Sequence, residues 1–339
     1  MHYRLLGKSG LRVSELCLGT MTFGEDWGWG ASKDESRKIF EAYIEAGGNF
    51  IDTSNNYTEG SAETFVGEFV AAERDRFVVG TKYTLLTRQG DPNACGNHRK
   101  NMVQALEGSL KRLKTNYVDL YWVHAWDGMT PVEEVMRALD DMVRAGKVLY
   151  VGISDAPAWV IAHANTLAEW RGWSQFIGLQ APYNLLEREL EADILPMAHA
   201  FGIGVLTWGP LSSGKLTGKH SGQGSGDTKR HWWDHLTERE TTIVGEVVNT
   251  AEKIGRTPSQ VAINWIRQQH RALMIPVLGA RTADQIKDNL GCLDFTLSDD
   301  QLQRLERVSR TEFGFPHDFL ASDMAKSLVH GGMLDQIDR

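Results

Sequence analysis

The sequence predicts a (β/α)8 barrel, and three observations carry that expectation. Eight short apolar runs recur along the chain, and between each and the next there is room for an amphipathic helix. The runs are mostly apolar throughout rather than alternating, as parallel strands buried on both faces must be. The Gly-x-Gly-x-x-Gly turn that a doubly wound open sheet would carry after its first strand is missing, since Leu18-Gly19-Thr20-Met21-Thr22-Phe23-Gly24 does not match it.

The elements follow in order. Tyr3 to Leu6 and Leu11 to Ser14 flank Gly7-Lys8-Ser9-Gly10 and read as a small N-terminal hairpin over residues 1–14. Leu16 to Gly19 is the first barrel strand, and Ile39, Phe40, Tyr43 and Ile44 recur at helical spacing after it. Phe50 to Thr53 is the second strand, followed by a short helix from about Ser61. Arg76 to Lys82 is the third, and Met102, Val103, Leu106, Leu110 and Leu113 give its helix an apolar face. Val118 to His124 is the fourth, with Pro131 at the start of a helix that stops at Gly146. Val148 to Ser154, Phe176 to Gln180, Gly204 to Trp208 and Leu273 to Pro276 complete the set, and Thr282 to Leu290 is the helix after the last. Residues 212–236 form a long loop after the seventh strand, expected to be a flexible flap because Ser221 to Asp227 has linker composition. Residues 297–339 read as one further helix and a polar tail, within a single domain spanning 1–339.

Composition narrows the function. The chain has 339 residues, 42% of them hydrophobic and 24% charged, which is enough for a sizeable core in a soluble protein. A net charge of -8 argues against broad nucleic-acid or anionic-membrane binding. The three cysteines, Cys17, Cys95 and Cys292, fit neither a disulfide framework nor a zinc site, and point to a reducing compartment. No signal-like apolar run opens the chain and no stretch is long and apolar enough to span a membrane, so the expected location is cytoplasmic. A homo-oligomer is compatible with all of this.

In a parallel barrel the active site gathers at the C-terminal ends of the strands. Asp52 ends the second strand, Tyr57 lies on the loop behind it, Lys82 ends the third and His124 the fourth. Taken singly these are a turn or capping acid, a rim packer, a solvated lysine and a satisfied histidine. Together on neighbouring strands they form a proton-donating device. An ammonium beside a phenol lowers its pKa, an acid holds the ammonium in place, and an imidazole hydrogen-bonds the oxygen that the phenol protonates. Such a group suits hydride addition to a carbonyl, where negative charge develops on oxygen.

These segments, with Gly19-Thr20-Met21, Val151 to Ser154, Gln180, Trp208-Gly209-Pro210-Leu211 and Ile275 to Arg281, resemble the aldo-keto reductases over nearly the whole chain. The resemblance implies a nicotinamide cofactor, NADPH, bound without a Rossmann fold, an aldehyde or ketone substrate, and Asp52, Tyr57, Lys82 and His124 as a catalytic tetrad with Tyr57 the general acid. It places Thr20, Met21 and Asp52 near the nicotinamide ribose and Ser154, Asp155 and Gln180 at the carboxamide. Asp155 stands where many members have asparagine, and a carboxylate cannot donate. Trp208, in preference to Tyr183, would support the ring. Pro210, Leu211, Ser213 and Gly214 would cover the pyrophosphate, and Gly279, Arg281, Gln285 and Asn289 would lie at the adenosine end. A guanidinium fork at Arg281 suits a 2'-phosphate. The bland alternative there is a helix cap made by Thr282 with Gln285.

Rim loops supply a candidate pocket wall in Trp27, Trp29, Tyr83, Trp126 and Trp232 (with Trp233), which favours an apolar or aromatic carbonyl. His98 lies on the same rim. Asn55 and Asn56, just before Tyr57, have no assigned role. Two rivals stand beside the reductase: a redox-sensing regulatory subunit that binds NADPH with little turnover, against which the intact tetrad speaks, and a metal-dependent barrel hydrolase or lyase, which lacks clustered ligands at the strand ends.

Overall fold

The computed structural model describes residues 1–219 and 235–338. Two short antiparallel strands, β1 (Tyr3–Leu5) and β2 (Arg12–Ser14), form the N-terminal hairpin. Eight parallel strands then close a barrel in chain order: β3 (Cys17–Gly19), β4 (Phe50–Asp52), β5 (Val78–Tyr83), β6 (Val118–Val123), β7 (Val148–Ser154), β8 (Phe176–Pro182), β9 (Gly204–Trp208) and β10 (Leu273–Leu278). Closure is made by β10, which pairs β9 on one side and β3 on the other. The (β/α)8 architecture expected from the sequence is therefore the one observed.

The helices are α1 (Lys33–Glu45), α2 (Ser61–Val70), α3 (Arg99–Leu113), α4 (Val132–Arg144), α5 (Ala158–Arg171), α6 (Ile194–Phe201), α7 (Glu238–Ile254), α8 (Pro258–Arg267), α9 (Ala283–Leu290), α10 (Asp299–Ser309), α11 (His317–Ala321) and α12 (Asp323–His330). Their starts are chemically marked. Thr237 with Glu240, Thr257 with Gln260 and Ser298 with Gln301 form reciprocal capping boxes that satisfy the first backbone donors of α7, α8 and α10. The tail differs from the expected polar extension. It carries α11 and α12, and there Leu320, Met324, Leu328 and Val329 are exposed. Each helix is too short, 5 and 8 residues, for a clear period to show in the sequence.

Two apolar cores result. One lies between the barrel and its helices, and the other fills the barrel. The inner core is organised around Trp122 of β6, which is fully buried. Its ring has room because β7, β8 and β5 carry glycine around it. A Cβ at Gly152 would stand 2.3 Å from Trp122 Cε3, one at Gly178 2.7 Å from Cη2, and one at Gly80 2.8 Å from Nε1. Leu6 and Val13, from the hairpin segment, join the same cluster with Cys17, Phe50 and Leu206. The hairpin thus seals the end of the barrel opposite the strand C-termini, and the other end stays open for chemistry.

Candidate active site

Asp52 is the last residue of β4 and Lys82 lies one residue before the end of β5. The two strands are in register, with Asp52 opposite Gly80, so both side chains emerge at one mouth of the barrel. They are 3% and 1% exposed. Lys82 Nζ donates to Asp52 Oδ2 at 2.5 Å, to the carbonyl of Thr53 at 2.9 Å and to the hydroxyl of Tyr57 at 3.0 Å. Three acceptors match the three protons of an ammonium. The Asp52 carboxylate drives the lysine pKa above its ordinary value despite burial. On the other side, Gln180 of β8 donates from Nε2 to Asp52 Oδ1 at 2.6 Å and braces the acid across the mouth. Burial pushes the Asp52 carboxyl upward, opposed by Lys82 and Gln180.

Tyr57 opens a tight turn, Tyr57–Gly60, in which Thr58 and Glu59 adopt φ of 44° and 53°. Non-glycine residues rarely accept that region, and a specific tether holds it here. Thr58 Oγ1 donates to the carbonyl of Phe23 at 2.5 Å and accepts from the amide of Ala62 at 3.2 Å, strapping the turn to the loop after β3 and to α2. The phenol is thereby held against Lys82. Because the Tyr57 oxygen accepts from the ammonium, its own proton is left to point elsewhere. The expectation that Lys82 acidifies this phenol needs correction. Burial raises the Tyr57 pKa and the ammonium only partly offsets it, so the phenol keeps its proton.

His124 follows β6 directly, buried, with its ring edge-on to Tyr57 at 5.8 Å between centroids. Burial and the Lys82 charge hold the imidazole well below its usual pKa, and it is neutral. Its Nδ1 lies 3.1 Å from the Ser54 hydroxyl. That hydroxyl also lies 2.7 Å from Asn56 Oδ1 and 3.4 Å from Asn55 Oδ1. Sequence reasoning missed Ser54. The only available signal was a small hydroxyl beside the two unplaced asparagines.

Other expected site residues ring the same mouth. Thr20 hydrogen-bonds the Asp52 carbonyl through Oγ1 at 3.0 Å, and Met21 follows it, partly buried. Ser154, the last residue of β7, is the register partner of Gln180, two residues before the end of β8. Asp155, next in the chain, has φ of 46° and accepts from the exposed Trp208 indole at 3.2 Å, and burial lifts its carboxyl above the ordinary range. After β9 comes the buried Pro210, then Leu211, Ser213 and Gly214, where positive φ at Ser213 (53°) and Gly214 (97°) folds a tight turn. Beyond β10, an added Cβ on Gly279 would meet open space. Gln285 Oε1 accepts from the Arg281 backbone amide at 2.8 Å and Thr282 caps α9, so the capping pattern is present. The Arg281 guanidinium has no carboxylate partner among the described residues, and Asn289 is buried on α9.

The aromatic wall is only partly as expected. Trp27 and Trp29 stack as a tilted pair 5.5 Å apart, and Trp27 Nε1 donates to Glu59 Oε1 at 3.1 Å. Trp126 is partly buried in the loop after β6, its amide donating to the Asp155 carbonyl. Tyr83 does not line the mouth. It is fully buried, stacks on Tyr121 at 5.3 Å and donates to the Asn97 carbonyl. As the final residue of β5 it follows Lys82, and alternation sends its side chain to the helix side of the sheet. Tyr183 is likewise committed to the core, against Trp265 with its hydroxyl on Glu191. His98 caps α3 by accepting from the Asn101 amide. Trp232 and Trp233 lie outside the described residues, as does most of the 212–236 loop. No group of three or more potential metal ligands occurs among the described residues, and no described helix is long and apolar enough to cross a membrane.

The Aldo/keto reductase family model matches residues 15–310. Norsolorinic acid reductase stcV of Emericella nidulans is 36% identical over 330 residues, covering 94% of this chain and 84% of that protein. An aryl-alcohol dehydrogenase of Phanerodontia chrysosporium, named as NADP(+)-dependent, is 35% identical over 353 residues, covering 97% and 91%. Aldo-keto reductase ausK of Aspergillus calidoustus is 34% identical over 340 residues, covering 95% and 86%. On the strength of these matches, a closed barrel and a lysine shared by an acid and a phenol at its open mouth, the chain belongs to the aldo/keto reductase family.

Proposed function

We propose that the protein reduces an aromatic aldehyde or ketone to its alcohol with NADPH, using Asp52, Tyr57, Lys82 and His124. The carrying observation is the saturation of Lys82 Nζ by Asp52, Thr53 and Tyr57, which leaves the phenolic proton of Tyr57 as the one free to leave. The dihydronicotinamide, when bound, supplies the hydride. As the carbonyl carbon is reduced, negative charge grows on its oxygen, and Tyr57 delivers a proton there. Lys82 stabilises the phenolate left behind, so an unacidified phenol becomes a competent acid only as the charge develops. Asp52 keeps the lysine charged and aimed, and His124, being neutral, hydrogen-bonds the same oxygen without competing as a proton source.

The residues fit such a cofactor. Ser154 and Gln180 stand side by side to receive a carboxamide, the Ser213-Gly214 turn follows β9 for a pyrophosphate, and Arg281 has an unpaired guanidinium among the described residues for a 2'-phosphate. The aromatic preference rests on Trp27, Trp29 and Trp126 and agrees with the aryl-alcohol name of one relative. The test is NADPH oxidation with a panel of aromatic and aliphatic aldehydes and ketones, by wild type and Tyr57→Phe. A loss of about 10²- to 10⁴-fold in kcat with cofactor binding retained is expected. Unchanged turnover would remove Tyr57 from its role, and absence of NADPH binding would overturn the reading.

A further inference from the structure

The last part of the chain is folded without being packed. Residues 311–338 carry α11, α12 and a turn at Leu334–Gln336 that packs back on α12. Among the described residues, their hydrogen bonds stay within the segment, as from the Gly314 amide to Asp318 Oδ2 at 2.8 Å and from the Ala325 amide to Ser322 Oγ at 3.2 Å, and none reaches the barrel. Of the described residues in this segment only Ala325 is buried. Helices of 5 and 8 residues fall well below the ~12–15 residues at which an isolated helix holds in water, so their order has to come from a packed apolar face. Such a face is present and uncovered. Phe315, Leu320, Met324, Leu328, Val329 and Met333 are between 53% and 84% exposed.

We propose that this tail is the dimerisation surface of the protein, and that its occupant is the tail of a second copy, with the two α12 helices antiparallel about a two-fold axis. On α12, Met324 and Leu328 are four residues apart with Val329 beside them, whereas Asp323, Lys326 and His330 fall on the opposite side. A ring contact between Phe315 and Phe319, 6.2 Å between centroids, carries the patch onto α11, which packs against α12. The size fits a partner. The apolar side chains exposed from Phe315 to Ile337, at on the order of 100 Å² each, present roughly 800 Å², more than the ~300–600 Å² patch of a typical monomer and about what each partner of a standard interface buries. The charges are self-complementary. Asp323 opens α12 and His330 closes it, so an antiparallel pair brings Asp323 toward the partner subunit's His330, opposes the two helix dipoles and sets Met324 against the partner subunit's Leu328. A lipid surface is a poorer match, because Glu312, Asp318, Asp323, Asp335 and Asp338 stand against Lys326 alone in residues 311–338.

Sedimentation equilibrium of the full-length protein at micromolar concentration reads the assembly, with circular dichroism to show that each variant is folded. Wild type should have twice the 37.9 kDa mass of the chain. Met324→Lys and Leu328→Glu should each weaken the dimer by about 10²-fold or more, because the two-fold repeats every substitution, and each should sediment as a monomer. Mixed in equal amounts, the two variants should recover a dimer. Position 324 of one chain then faces position 328 of the other, so that lysine meets glutamate on one side of the axis and methionine meets leucine on the other. Recovery in the mixture also separates a lost interface from a lost fold. A wild type that stays monomeric, whether free or bound to phosphatidylcholine vesicles, overturns the proposal. So does a dimer that survives both single substitutions, or a mixture that stays monomeric.

Discussion

Replacing Lys82 by methionine tests the centre of the site, because it removes the charge and keeps most of the volume. Asp52, 3% exposed, would lose its only cationic partner within hydrogen-bonding distance among the described residues and keep the Gln180 amide. Breaking a buried pair from one side costs about 3–5 kcal/mol, since the remaining charge is left desolvated. An unfolding entropy of ~2.1 cal/mol/K per residue over 339 residues is about 0.7 kcal/mol/K, so Tm should fall by about 4–7 °C. The sign of the pH dependence follows. With the lysine gone, burial alone leaves the folded-state carboxyl above its unfolded pKa of ~3.9. The folded variant then holds a proton that the unfolded chain releases, so its stability is fullest below ~pH 3.9 and declines as pH rises through the raised folded value. Adding Asp52→Asn should recover most of the lost Tm, because neither charge is then stranded, while kcat stays down by about 10²-fold or more. Thermal melts across pH, run beside NADPH-oxidation assays, read both. Equal Tm for Lys82→Met and wild type, with no rescue by Asp52→Asn, would refute the claim that the ion pair sets the cost.

Three further outcomes follow from particular contacts. Gly152→Ala should destabilise by about 1–3 kcal/mol, since its Cβ would stand 2.3 Å from the Trp122 ring, and a chemical-denaturation midpoint shift checks it. Against the upward push of burial, the amides of Thr130, Asn97 and Met129 hold the Asp127 carboxyl below its ordinary range. Its contribution is present above ~pH 3.9 and lost as pH falls through the depressed folded value, and Asp127→Ala should cost about 1–3 kcal/mol and loosen the Trp126 loop, measured by denaturation and tryptophan fluorescence. Arg281→Ala should weaken NADPH about 10- to 100-fold while sparing NADH, and equal weakening of both in a binding titration would show that Arg281 does not read the 2'-phosphate.

The barrel and the cluster of polar side chains at its mouth were legible in the sequence because both depend on local order. Apolar runs mark strands buried on two faces, and chain order in a parallel barrel makes the ends of consecutive strands neighbours, so Asp52, Lys82 and His124 meet for topological reasons alone. Trp208 and Arg281 fall at the same mouth by the same rule. What only the tertiary structure decided is which way each side chain turns and what surrounds it. Tyr83 follows Lys82, and one step of alternation sent it to the core, where Tyr121 and the Asn97 carbonyl hold it. Tyr57 was expected to be acidified by its ammonium, but desolvation outweighs that charge, and burial is a property of the packed fold rather than of neighbouring letters. The tail read as polar because α11 and α12 are too short for a period to declare itself. Ser54 could not be singled out at all. Its partner His124 lies 70 residues away, and a hydroxyl acquires direction only when the fold brings an imidazole to one side of it and an amide to the other.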